Sequence, residues 1–158
     1  MSCVTWCNYV GPIPEKTDPE SELQQWDIIL AQFSNWFNNE VLGVYEGITP
    51  TIPTKLYVAV HTTASNPTTP GTEIVDSGYA RSLITFDRVS DIQRWSAVDV
   101  LSPSAQTLWE ALSFTIWDDP VGGNYYAFGN LSQPLTIDVG KSILWPKNKV
   151  ILGMGASA

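Results

Sequence analysis

The sequence predicts a mainly β protein with one N-terminal α-helix, its strands forming an antiparallel β-sandwich, jelly-roll-like, or a small barrel. Three observations predict it. Residues 18–47 carry apolar side chains at spacings of three and four, the period of a helix. From residue 54 onward, short runs rich in Val, Ile, Tyr, Phe and Trp alternate with clusters of Gly, Pro, Asn and Asp, the pattern of many short strands. The chain has 158 residues, 44% apolar and 15% charged. That suits one domain with a sizeable core and not a disordered chain.

The organisation expected is an extended leader over 1–17, an amphipathic helix over 18–47 and a β-sandwich domain over 54–158. The leader starts MSCVTWCNYVGPIPEK. It lacks a basic start and a continuous apolar stretch, so it does not read as a secretory signal. Cys3 and Cys7 stand four apart, a spacing that fits neither a redox pair nor a zinc pair. They read as thiols in a reducing cytoplasm, with a small-loop disulfide as the alternative.

For the helix, Asp18 and Pro19 read as N-cap and first helical residue, because proline has no N–H to lose there. Glu20 and Glu22 place negative charge in the first turn. Trp26, Ile29, Leu30, Phe33, Trp36, Phe37 and Val41 form the apolar stripe. Gly43 or Gly47 can end it, and Pro50 and Pro53 prevent a restart. The stripe is rich in aromatic rings, which serve either a core or a contact with a neighbour. Trp26, Phe33, Trp36 and Phe37, with Trp6, Tyr9 and Ile13 of the leader, are the candidate interface residues.

Residues 55–61 (KLYVAVH) read as the first strand. The loop 62–71 (TTASNPTTPG) has too little apolar content to fold inward and should lie on the surface. Strands follow at 79–86 and 94–101. Residues 103–112 are ambiguous between a short helix and a turn-strand pair. Residues 114–117 and 125–131 pair as a hairpin across 118–124 (DDPVGGN), a segment full of chain breakers. Three further strands lie at 135–139, 142–145 and 150–152. Gly71, Gly78, Gly122 and Gly123 are turn positions, where positive φ is cheap for glycine alone. Arg81 interrupts an apolar strand, so its guanidinium needs a partner, Glu73 or Asp76 across a hairpin.

Charge and chemistry exclude several functions. The net charge is −8, which argues against a nucleic-acid partner, since a phosphate backbone needs clustered Lys and Arg. Residues 1–46 hold seven acidic residues against one basic, Lys16. No apolar run approaches a membrane span. The one histidine, His61, rules out a His-rich metal site and lies in no nucleophile motif. Asp118 and Asp119 are adjacent in a turn and lack the spacing of a calcium loop or of facing glycosidase carboxylates. The expectation is therefore no catalytic residue, no metal and no cofactor. Trp95, Trp109, Trp117, Tyr125, Tyr126 and Trp145 keep a sugar-stacking role open.

The β-rich part carries a more specific series. LYVAVHT (56–62), GTEI (71–74), GYAR (78–81) and ITF (84–86) are followed by Trp117-Asp118-Asp119, Gly122-Gly123-Asn124, Gly129-Asn130-Leu131, Pro134, Val139-Gly140 and Leu144. In order and spacing, from about residue 23 to 152, this resembles a family of small tailed-phage proteins commonly labelled tail fibre or minor tail proteins. The resemblance implies a non-enzymatic virion component of the tail, fibre or baseplate, present in several copies. It would be assembled in the host bacterial cytoplasm, with other virion proteins and copies of itself as partners. The alternatives are a capsid decoration protein and a receptor- or polysaccharide-binding module. The leader and the aromatic helix depart from the family pattern.

Overall fold

The computed structural model describes residues 24–25, 29–91 and 93–153. The elements run β1 (Gln24–Gln25), β2 (Ile29–Phe33), α1 (Asn35–Gly43), a 3-10 turn (Val44–Glu46), β3 (Leu56–His61), β4 (Ser82–Ile84), β5 (Phe86–Arg88), β6 (Gln93–Ser96), β7 (Val100–Leu101), β8 (Trp109–Trp117), β9 (Tyr125–Ile137), β10 (Ile143–Trp145) and β11 (Val150–Gly153). Eight strands form one sheet in the order β4-β3-β8-β9-β2-β11-β6-β5, and three form a small sheet, β1-β10-β7. The large sheet is nearly closed into a barrel. Its two edge strands, β4 and β5, are the halves of one strand bent at Thr85, whose carbonyl still accepts from Ala97 N–H at 2.8 Å. Bending one strand across both edges leaves few open backbone groups, which suits a soluble sheet.

The walls follow from period-two patterning. Val58, Val60, Phe114, Ile116 and Ala127 point to the core, where Trp109 and Trp145 are the largest fully buried side chains. Phe114 and Trp145 meet with ring centroids 5.3 Å apart. The ambiguous segment 103–112 ends in strand, since β8 begins at Trp109. The strands expected at 125–131 and 135–139 are one, β9. Pro134 sits in a bulge of β9, where the pairing steps from Ala111↔Leu135 to Ser113↔Asn130. A proline has no ladder hydrogen bond to give, so the bulge is where it belongs.

The N-terminal helix is shorter than its pattern predicts. Residues 29–33 form a strand, pairing antiparallel with β9 and parallel with β11. The apolar spacing at 29, 31 and 33 fits a period of two as well as it fits a helix, and periodicity alone does not separate short apolar runs. The helix starts where Ser34 caps it. The buried hydroxyl donates to Tyr125 O and accepts from Phe37 N–H, the arrangement that satisfies an orphan donor of the first turn. The Asp18-Pro19 start, with Trp6, Tyr9, Ile13, Trp26, Cys3 and Cys7, lies outside the described residues. The pairings of β1 with β10 and of β2 with β11 are parallel, unlike the other strand pairs described.

The glycines act for two reasons. Gly122 and Gly123 have φ of +87° and +78°, as a tight hairpin demands. Gly71 and Gly78 do not have positive φ, contrary to the expectation for them. There the constraint is crowding: a Cβ on Gly71 would lie 2.3 Å from Thr63 O, and one on Gly78 would lie 2.6 Å from Gln106 Cγ. Gly71→Ala and Gly123→Val should each lower the melting temperature by several degrees, corresponding to roughly 1–3 kcal/mol. A calorimetric scan that leaves either variant at the wild-type value contradicts these assignments.

Candidate functional site

Three polar groups pin the loops to the barrel, and their geometry decides what the surface can do. The first is Arg81. Its Nε and Nη2 donate to Glu73 Oε1 and Oε2 at 2.9 and 2.8 Å. Its Nη1 donates to Asp119 O and Gly122 O at 3.0 and 2.6 Å. The guanidinium lies 4.1 Å from the Trp117 ring centre, a cation–π contact. One side chain thus ties the loop before β4 to the tip of the β8–β9 hairpin. Its side chain is 7% exposed, so the planar fork is used for internal bonding. The Tyr79 hydroxyl donates to Glu73 Oε1 at 3.0 Å and accepts from Val60 N–H at 2.9 Å. Burial works to raise the Glu73 pKa. The Arg81 hydrogen bonds and charge, with help from Tyr79 and His61, outweigh it and hold the carboxyl below its ordinary value. Burial pushes the Tyr79 phenol well up.

The second is Asp76, the other partner considered for Arg81. It faces elsewhere. Its carboxylate accepts from Gly78 N–H (2.7 Å), Gln106 N–H (3.0 Å), Thr107 N–H (2.7 Å), Thr107 hydroxyl (2.8 Å) and Trp109 Nε1 (2.7 Å). Desolvation would raise its pKa, but the bonds from Gly78, Trp109 and Thr107 hold it far below the carboxylate range.

The third is His61, 1% exposed. Nδ1 lies 2.7 Å from Gly71 O and Nε2 lies 2.6 Å from Thr115 Oγ1. A carbonyl only accepts, so Nδ1 carries the proton. Nε2 of the neutral ring then accepts from Thr115, whose hydroxyl oxygen accepts from Trp117 Nε1 at 2.6 Å. Burial lowers the His61 pKa against the raising effects of Gly71 O and Glu73. Both ring nitrogens are hydrogen-bonded within the fold, and Thr115 Oγ1 is shared between the ring and the Trp117 indole.

These pins explain why the outer face of β3, β8 and β9 tolerates His61, Ser113 and Thr115. The loop 62–71, expected on the surface, lies across that face. Ser65 is its buried anchor: its Oγ is 2.8 Å from Ser113 Oγ, and its backbone N–H and C=O pair with the Asn130 amide at 2.8 and 2.9 Å. The loop therefore covers polar groups by matching their hydrogen bonds, which composition alone does not reveal.

The aromatic residues divide. Phe33, Trp36 and Phe37 are half-buried and pack within the chain. Phe33 stacks on Phe37 at 4.5 Å, and Trp36 meets Tyr126 edge-on at 4.8 Å. Trp109, Tyr125, Tyr126 and Trp145 are buried. The exposed large apolar side chains are elsewhere. Val75 and Val121 flank an open depression of about 370 Å³ beside Arg81. Leu42, at the end of α1, and Val44, Tyr45, Ile48 and Ile52 after it form a second group. Sequence reasoning missed this second group because its residues follow the periodic stripe in an irregular stretch. Among the described residues no group of three or more His, Cys, Asp and Glu side chains could hold a metal ion, and no helix is long and apolar enough to cross a membrane.

Arg81→Lys should destabilise the fold by about 2–3 kcal/mol in urea titration, because a point charge cannot hold both carboxylate oxygens and the hairpin tip together. Unchanged stability would remove the clamp. Stability should also fall as pH drops below 6.5, the ordinary histidine value. There the unfolded chain takes up a proton that buried His61 refuses, so protons favour unfolding. A second loss should begin below 4.5 as the unfolded chain protonates Glu73 while the folded one keeps it charged. A flat profile from about pH 8 to about pH 5 would contradict the His61 assignment.

A comparison with known families covers this whole framework. Residues 32–153 match the family described as podophage GP4 fiber I protein gp80. The match takes in β3 to β11, the Arg81, Asp76 and His61 pins and the helix α1. No curated protein matches the chain. With about three quarters of its length accounted for, the chain belongs to the podophage GP4 fiber I protein gp80 family.

Proposed function

We propose that the protein is a non-enzymatic structural part of a phage tail fibre, placed at the tail or baseplate and present in several copies. It is made in the host bacterial cytoplasm and joined there to other virion proteins and to copies of itself. The observation that carries this reading is the match of residues 32–153, from the end of β2 to β11, to a fibre-protein family. The side-chain geometry supports it. Among the described residues, His61, Glu73, Asp76, Arg81, Asp118 and Asp119 are each engaged in holding loops in place. A fibre subunit needs a rigid body with sticky ends. Phe33, Trp36 and Phe37 stiffen the body, so attachment falls to the exposed apolar groups and to the leader residues Trp6, Tyr9 and Ile13. Burial of Trp109, Tyr125, Tyr126 and Trp145 leaves a polysaccharide-binding role without those rings as a stacking surface. Antibody labelling of purified particles should place the protein on the tail, in tens of copies or fewer. Labelling spread over the head in hundreds of copies would point to capsid decoration and overturn the fibre reading.

A further inference from the structure

We infer that the chain assembles head to tail: the uncharged first fourteen residues of one copy seat on the apolar shoulder at the end of α1 of the next. This rests on the fibre reading above and names its partner as a second copy of the same chain.

The shoulder is built, not frayed. Gly47, with φ of +79°, reverses the chain after the 3-10 turn, and Ile48 N–H returns to Gly43 O at 2.9 Å. Thr51 N–H is held by Glu40 Oε2 at 2.9 Å, and Thr51 O accepts from Tyr126 hydroxyl at 3.3 Å. This fixed frame presents Leu42, Val44, Tyr45, Ile48 and Ile52, each at least half exposed, with Tyr45 at 89% and Ile52 at 81%. Five large apolar side chains exposed within eleven residues are an unusual density for a free surface and mark a candidate interaction site. Because the frame is set beforehand, little ordering cost opposes binding there.

The leader has the matching chemistry. Residues 1–14 contain no charged side chain and include Trp6, Tyr9, Val10 and Ile13. The acidic run follows at once, with Glu15, Asp18, Glu20 and Glu22. An apolar plug on a charged tether is thus written in the sequence. The tether, residues 15–23, can span up to roughly 30 Å when extended.

The topology sets the direction. Gln24 pairs with Ile143 in the small sheet, and β2 then runs parallel to β11 until Phe33 meets Ala127 beside the β8–β9 hairpin. The chain therefore enters at the end of the body that carries the small sheet. The shoulder follows α1, beyond the opposite end of β2. A plug and a socket at opposite ends make a heterologous contact, which repeats into a ring or an open fibre.

The test uses the full chain in two variants. Tyr45→Asp with Ile52→Asp blocks the socket, and Trp6→Asp with Ile13→Asp blocks the plug. Tyr45 and Ile52 are exposed, and unchanged melting temperatures verify that all variants fold. In sedimentation velocity, wild-type protein should form multimers that grow with concentration, and each variant alone should be a monomer. An equimolar mixture should give a heterodimer and nothing larger, since only one working plug meets one working socket. A mixture that stays monomeric, a plug variant that still multimerises, or a monomeric wild type overturns the inference. The fibre reading fails separately, if purified particles lack the protein while the mixture still pairs.

Discussion

One short strand closes the body of this protein. Ile29–Phe33 fills the space between Tyr125–Ile137 and Val150–Gly153, antiparallel to the first and parallel to the second. Taken away, it would leave two facing rows of unpaired backbone groups in the wall of the barrel, an arrangement that invites pairing with other chains. Its C-terminal end is fixed as firmly as its sides, since Ser34 both caps the helix and bonds to Tyr125 O. The helix is then laid on β9 through Trp36, Phe37 and Tyr126. Gln24 and Gln25 pair with the small sheet before this strand, and the exposed apolar side chains of residues 42–52 come after it.

Rigidity comes from polar pins as much as from the apolar core. A barrel wall this short has loops comparable in length to its strands, and such loops have little apolar surface to bury. Arg81, Asp76 and His61 replace that missing burial with closed sets of hydrogen bonds, each linking segments far apart in sequence. Satisfied buried polar groups specify one arrangement, because any other leaves donors or acceptors bare.

The strands after residue 54 were legible because alternation and chain breakers agree there. The hairpin around Gly122 and Gly123 was legible because its loop type demands those residues. So was the need of Arg81 for a carboxylate, although the choice of Glu73 over Asp76 required the fold: the two lie three residues apart, and only loop geometry separates their directions. Other features were hidden. The pattern 29–33 obeys two periods at once, and the tertiary opening between β9 and β11 decided for strand. Gly71 and Gly78 avoid contacts with residues 63 and 106, and the second of these is distant in sequence. The loop 62–71 reads as solvent-facing from its composition, and most of it is exposed; what composition does not show is that buried Ser65 anchors it to Ser113 and Asn130. The exposed shoulder at 42–52 has no periodicity at all.

Amide hydrogen exchange on the intact protein tests the role of the closing strand most directly. The account predicts that amides of residues 29–33 are protected as strongly as those of residues 114–117 and open together with them. Exchange of 29–33 at the rate of a free chain, while the strands at 56–61 and 114–117 stay protected, would show a barrel that stands without its N-terminal strand, and would contradict the account.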